Sequence, residues 1–326
     1  MSRSRSRRSR RARPTQPEAV DHYQVVGNLH VGGATEKDIL QDPATGDWYI
    51  AKLGGRNSDL EVMTEYIIHL VGRNIGANVA QAKIATYKGR LRFLSKYFLD
   101  RGQDEELIHG IQLFRELYDE STLYGVVGDE VREQAMFNLQ AIRGAFGAHY
   151  VLFGAQVEEN LFSALIDMVV HDAIIGVQDR HHENWGVIVQ RGRTGPVPRF
   201  APLYDSARGL FCNHPDANLT RFIGAGGQQQ LEAYAARSRP LMGWDGLTPR
   251  PGRKFITHDQ LVAALYRDLP AARKRIRTIL AAYEWRALQA ELRRRLGFMC
   301  SERRISLVLA LLRRRITLIN RAINSI

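Results

Sequence analysis

GVQDRHHENWGVIV, residues 176–189, runs from the end of a long apolar helix pattern straight into a strand pattern. Within it, residues 179–184 crowd an acid, an arginine, two histidines, a second acid and an asparagine between two core elements. A solvated loop is one reading. A metal-dependent hydrolase is a second, with His171-Asp172, His181 and His182 as ligands. Such a site needs further histidines, and none of the ten in the chain pairs at i, i+4 spacing on the neighbouring helices. Phosphoryl transfer is the third. Asp179 and Asn184 stand five apart, the spacing at which a loop aims a carboxylate at a hydroxyl nucleophile while an amide oxygen binds a divalent metal.

Working downstream, the strand-like WGVIVQ, a turn-rich RGRTGPVP and a second strand RFAPLYD bring Asp205 to a strand end 26 residues after Asp179. Oxygen ligands from Asn184 and Asp205, completed by phosphate and water, suit Mg²⁺. Working upstream, residues 22–53 read as a hairpin in which EKDILQ, the turn DPATGD and WYIAKL follow HYQVVGNLHVGG. In the last strand Trp48, Ile50 and Lys52 share one face by the period of two. Gly32, Gly33, Ala34, Thr35 and Lys37 open the first strand, so backbone N–H groups there can approach phosphates. A helix follows, with an S-x-x-E capping box at Ser58 and Glu61 and an apolar stripe of Leu60, Met63, Ile67, Leu70 and Val71. Glu65 falls off the stripe, which is ordinarily a solvated position; the alternative is that it orients Lys52, with Glu61 as second choice. Strand-like AQAKIATYKG and RLRFLSKYFL complete this unit. Glycine turn, strand lysine, helix glutamate, Asp/Asn loop and strand-end acid come in the order a metal–nucleotide cleft needs, which weighs against the solvated loop.

Beyond residue 104 the texture is helix after helix: EELIHGIQLFRELY, DEVREQAMFNLQAIRGAF, ENLFSALIDMVVHDAIIG, a Thr257-capped HDQLVAALYRDL and a basic amphipathic C-terminal run. A length of 326 residues suits about two domains or lobes. The divisions expected are a tail over 1–18, an N-lobe over 19–100 and a C-lobe over 101–326. Of the net charge of +12, residues 1–13 supply seven arginines and no acid. That composition predicts a disordered extension ending in a PTQPEA linker and able to hold nucleic acid or another polyanion through phosphate contacts. Cys212 and Cys300 form no C-x-x-C unit, which argues against a disulfide framework and fits a reducing cytoplasm. The longest apolar run, ISLVLALL at 305–312, is too short for a transmembrane segment.

GVQDRHHENWG followed by APLYDSARGL closely resembles the catalytic and metal-binding segments of HipA-like serine/threonine kinases. VGGATEKDIL resembles their phosphate loop, YIAKL and TEYIIHLVGRNIG their lysine strand and helix, SKYFLD their interlobe hinge, and RSRPLMGWDG with PRPGRKFITHDQL a C-lobe segment of stand-alone members. The resemblance covers roughly residues 22–270. It implies an α+β, bilobal protein-kinase-like fold, with a small β-rich N-lobe and a larger, mostly helical C-lobe. It also implies a cytoplasmic, ATP- and Mg²⁺-dependent kinase. Asp179 would be the base, Asn184 and Asp205 the metal ligands, and Lys52, oriented by Glu65, the phosphate-binding cation. Gly33 to Lys37 would form the phosphate loop, and backbone near Phe98 and Leu99 would meet adenine. Arg180 and His181 would shape the loop, Arg180 by bridging to backbone or acid and His181 by packing under it. The acceptor would be a protein Ser or Thr, with a phosphoinositide or small alcohol as alternative, and an antitoxin-like regulator a partner. The chain departs from the family where Ser206-Ala207-Arg208-Gly209 follows the acid in place of Phe-Gly, and where Thr35 is the one hydroxyl in the phosphate loop. A different class remains open: a nucleotide- or nucleic-acid-binding module without transferase activity, using the arginine tail and the basic C-terminal helices.

Overall fold

The computed structural model describes residues 14–27, 37–54, 58–115, 117–190 and 197–326. The glycine turn at Gly32, Gly33, Ala34 and Thr35 lies outside the described residues, and so does the expected extension over residues 1–13. Residues 14–18, however, belong to the folded body, against the expectation of a linker there. Thr15 N–H donates to the Arg294 carbonyl at 2.9 Å, and strand β1 (Glu18–Ala19) pairs in parallel with a strand of the N-lobe sheet.

That sheet contains β1, β2 (Gln24–Val25), β3 (Lys37–Gln41), β4 (Trp48–Lys52), β5 (Ala82–Tyr87) and β6 (Arg90–Lys96), in the order β1-β5-β6-β4-β3-β2. The hairpin register sets Lys37 opposite Lys52 and Ile39 opposite Ile50. Across the sheet lies α1 (Ser58–Asn74), whose residues 62–72 are all buried. One side of this helix meets the sheet through Ile84 and Phe93, and the other meets the helical lobe. Its stripe is therefore wider than the sequence periodicity indicates, and Glu65 lies inside at 7% exposure instead of in solvent.

The expected helix EELIHGIQLFRELY divides. Its first part is strand β7 (Glu105–His109), and only α2 (Gly110–Phe114) is helical. The pairing of β7 with β8 (Gly186–Gln190) wins over helix propensity there, and it is tight: a Cβ on Gly186 would stand 2.4 Å from the Ile108 carbonyl oxygen. The second expected strand is shorter than read, since β9 is Arg199–Phe200 alone and residues 201–205 continue without regular structure. DEVREQAMFNLQAIRGAF likewise forms two helices after α3 (Glu120–Tyr124), namely α4 (Glu130–Met136) and α5 (Leu139–His149). Asn138 breaks the run and caps α5 by accepting from Ala141 N–H at 2.8 Å.

The central helix is α6 (Ala155–Ile175), buried along most of its last three turns and ended by Gly176 in the left-handed region, φ +71°. Around it pack α7 (Gly227–Ala235), α8 (His258–Asp268) with the Thr257 capping box, α9 (Arg273–Ala281), α10 (Trp285–Leu296) and α11 (Glu302–Asn324). Among the described residues no helix is long and apolar enough to cross a membrane.

Candidate active site

The loop between α6 and β8 is organised by Arg180, which is 3% exposed. Its Nε and Nη2 hold the two carboxylate oxygens of Asp172 on α6 at 2.8 and 3.1 Å, a bidentate pair. Its Nη1 donates to the carbonyls of Asn184 and Tyr204, both at 2.7 Å, and Nη2 donates to Ser206 Oγ at 2.5 Å. One guanidinium thus joins the last turn of α6, both ends of the loop, and the residues on either side of Asp205. Burial alone would push the Asp172 carboxyl up, but the charge of Arg180 outweighs it and holds it at about 2. Of the HD pair, Asp172 is committed to holding Arg180. Among the described residues no three His, Cys, Asp or Glu side chains cluster as a metal site.

Asp205 is fixed from the other side by the N-lobe. Leu203 bridges to Val79 in the segment after α1, with Leu203 N–H on the Asn78 carbonyl at 2.7 Å and Ala80 N–H on the Leu203 carbonyl at 3.0 Å. Held there, Asp205 adopts φ +51°, a left-handed backbone that few residues other than glycine tolerate. Its carboxylate meets the N-lobe lysines. Lys52 Nζ donates to Asp205 Oδ1 at 2.9 Å and to Glu65 Oε1 at 2.8 Å, and Lys37 Nζ lies 3.7 Å from Asp205 Oδ2. Burial disfavours the Lys52 charge, yet the two carboxylates raise its pKa, so it stays protonated. Burial also opposes ionisation of Asp205, and Lys52 beside it brings its pKa down. Behind this pair a cavity of about 20 Å³, lined by Glu65, His69, His171, Asp205 and Ser206 among others, has room for about one water. A larger hollow of about 460 Å³, between Arg143, Phe162 and Trp244, lines none of these groups.

Asp179 sits in the loop next to Arg180. Its Oδ1 is buried and has no hydrogen-bond partner among the described residues. Burial pushes its pKa up to about 7, with Arg180 opposing the shift and Asp205 adding to it. Asn184 Nδ2 donates to the Asp179 carbonyl at 2.7 Å, which fixes the loop's width and leaves Asn184 Oδ1 as the atom available to a cation. An orphaned carboxylate oxygen, an amide oxygen and a carboxylate already facing two lysines form a donor set fit for a hard divalent cation and phosphate oxygens.

Lys37, Lys52, Glu65 and Asp205 are thus in one connected cluster, with Asp179 and Asn184 joined to it through Arg180. Phe98 and Leu99 lie in the connector after β6, and the Phe98 ring is 5.7 Å from that of Tyr204. His181 does not pack under the loop. That place belongs to His182, 6% exposed and stacked on Phe137 at 4.9 Å, while His181 is partly exposed. Tyr204, to which the sequence motifs assign no role, joins the site: its hydroxyl reaches His109 Nδ1 and the Glu183 carbonyl, each at 3.0 Å. Two aromatic or hydroxyl residues flanking an acid, Tyr204 and Ser206, were the available signal.

A family model described as the HipA-like C-terminal domain matches residues 29–281. Among solved structures, the chain is similar to the proinflammatory kinase CtkA of Helicobacter pylori, with a TM-score of 0.71 at 16% identity over 95% of this chain and 98% of that one. At that identity the likeness establishes the fold alone: bilobal, with a β-rich small lobe and a mostly helical large lobe. A chain of the HipA, HipB and operator DNA toxin–antitoxin complex of Shewanella oneidensis MR-1 aligns with a TM-score of 0.48 at 13% identity, over 90% of this chain and 65% of that one. No argument rests on a score that low. No curated protein matches the sequence.

Proposed function

Because the chain belongs to the HipA-like C-terminal domain family and has a kinase-like fold, we propose that it transfers the γ-phosphoryl group of ATP to an alcohol. The acceptor we assign is a Ser or Thr hydroxyl of a protein. The observation that carries the reading is the bridge from Lys52 to Glu65 and Asp205, at 2.8 and 2.9 Å, beside an acid with an unpartnered carboxylate oxygen. Lys52, held in place by Glu65, orients the phosphates of the nucleotide. Asp205 and the Oδ1 of Asn184 would hold Mg²⁺. When bound, the metal neutralises charge on the β- and γ-phosphate oxygens. Asp179 orients the acceptor hydroxyl and takes its proton on the free Oδ1. Arg180 keeps Asp179, Asn184 and Asp205 in mutual register. Catalysis on this reading is positioning and electrostatics, with no covalent intermediate.

Asp179→Ala and Asp205→Ala should each abolish transfer of radiolabelled phosphate from ATP, and Asp205→Ala should in addition weaken Mg²⁺-dependent nucleotide binding. Labelling retained in both variants would end the kinase reading and leave the nucleotide-binding module standing. We assign the seven arginines of residues 1–13 to contact with nucleic acid or another polyanion. Their deletion should reduce retention on heparin and spare ATP turnover, and unchanged retention would refute that assignment. A regulatory partner of antitoxin type is part of the same proposal, to be read out by co-purification of a protein that inhibits transfer.

A further inference from the structure

Arg315 lies on α11, beyond residues 29–281 that match the family, and is 2% exposed with no carboxylate partner among the described residues. Its Nη1 donates to the carbonyl of Ile175, the last residue of α6, 140 positions away in sequence. A buried cation at that point complements the partial negative charge of the exposed carbonyls at a helix C-terminus. The guanidinium also covers Gly176. A Cβ there would fall 2.2 to 2.4 Å from the guanidinium carbon and nitrogens.

The same carbonyl has a second donor. Leu210 N–H binds Ile175 O at 3.1 Å, and the Leu210 carbonyl accepts from the hydroxyl of Tyr234, whose ring lies 5.9 Å from the Arg315 guanidinium carbon. Leu210 has φ +48°, so the chain returning from Asp205 turns sharply at this point. One residue on from Gly176, the Val177 carbonyl is held by His258 Nε2 of α8 at 2.8 Å, and Gln178 N–H binds the Arg208 carbonyl at 3.0 Å. The backbone leading to Asp179 and the backbone leaving Asp205 therefore meet at Ile175 O, and Arg315 is the side chain that fastens the meeting point to α11.

We propose that Arg315 is a positioning residue for phosphoryl transfer: by fastening the Ile175 carbonyl and covering Gly176, it fixes the loop bearing Asp179 relative to the segment bearing Asp205. This rests on the kinase reading above. Arg315 touches neither nucleotide site nor acceptor site, so its removal lowers the rate of the chemical step more than it weakens nucleotide binding.

The test compares wild type, Arg315→Met and Arg315→Lys as full-length chains, well below their melting temperatures. Three quantities are read: kcat for phosphate transfer, KM for MgATP, and amide hydrogen exchange over residues 175–184. For Arg315→Met we expect kcat to fall between about ten- and a hundredfold, as for other small misplacements of reacting groups. KM for MgATP should stay within about threefold on the same argument, and protection of residues 175–184 should drop. Arg315→Lys should recover part of the rate, since an ammonium still donates to the carbonyl but cannot lie flat over Gly176. A folded Arg315→Met with wild-type kcat and wild-type protection overturns the proposal, as does an equal loss in kcat and nucleotide affinity. Should Arg315→Met fail to fold, Arg315→Gln supplies the second arm. It keeps a polar side chain but removes the cation over Gly176, which itself stays unchanged because its φ of +71° suits glycine. The same signature is expected, and an unaffected rate there also refutes the role. No transfer by wild type, together with lost protection in Arg315→Met, would sink the kinase reading while the tether stood.

Discussion

Asp179 carries the sharpest consequence at the scale of a single residue. Burial sets its pKa at about 7 against an ordinary 3.8, and a general base works best with a pKa near the operating pH. On the proposed reading, in which Asp179 is the base, the active form is the carboxylate. In kcat/KM for the acceptor we therefore expect activity to rise as pH passes through 7 and to level off above it; a profile flat from pH 6 to 8 would disagree. The same shift is a stability statement. The folded protein holds this proton more tightly than the unfolded chain, so the group costs stability as pH rises from about 4 and the cost is complete above 7. Asp179→Asn removes the charge and the cost together. It should melt higher than wild type at pH 8, and the two melting curves should converge towards pH 4. Asp179, Asn184 and Asp205 were legible in the sequence because polar side chains wedged between apolar elements need a reason to be there. That Arg180 bridges to backbone or acid is legible in the motif, but which groups it holds is not, since one of its carbonyl acceptors lies 24 residues away. Aspartate reaches the left-handed region more readily than most residues, but nothing local in the sequence singles out Asp205 for it. That conformation is imposed by Leu203 on one flank and Arg180 on the other.

Between elements, the decisive joint is the one from α6 through the loop to β8. Asp172 and Arg180 are buried together, and a buried guanidinium stripped of its acid costs about 3–5 kcal/mol. Asp172→Ala should lose roughly that much in urea unfolding, and should lose transfer activity too, because Arg180 no longer holds Asn184 and Tyr204. A loss below about 1 kcal/mol, the range of exposed pairs, would show that the joint is relaxed. In the native protein the Asp172 carboxyl sits at about 2, below its ordinary 3.8. Its stabilising contribution is thus whole above pH 4 and disappears as pH falls through 2. Helices α1 and α8 could be read from their apolar period and caps, and α6 from its long apolar run. EELIH could not, because five residues with two leading acids satisfy a helix as well as a strand. What decides it is β8, which lies about 80 residues further on. Gly110, where the strand gives way to α2, has no room for a side chain: a Cβ there would come 2.3 Å from the Trp185 ring.

For the molecule as a whole, the two lobes have one core. Val62, Met63, Ile67 and Leu70 of α1 belong to the same buried cluster as α6 and α11, and so do Ile84 and Phe93 of the sheet. Among the described residues a small second cluster, including Val20, Leu40, Ala85 and Leu94, stands apart. The division near residue 100 marks a change from strand-rich to helix-rich texture, and texture follows local periodicity, whereas a shared core depends on which faces meet. Unfolding should follow the core. Heat should melt both lobes in one transition, with calorimetric and van't Hoff enthalpies equal. Trp48 on the sheet and Trp185 at the end of the Asp179 loop are natural reporters, each followed alone with the other tryptophans replaced by phenylalanine. Leu70 is fully buried on α1, and Leu70→Ala should cost about 2–5 kcal/mol. If the core is shared, that single truncation in the small lobe shifts the Trp185 transition by as much as the Trp48 transition. A Trp48 signal that melts first, with Trp185 unmoved, would mean that the lobes fold independently and that Lys52 and Asp205 are brought together by the ion pairs and the Leu203–Val79 bridge alone.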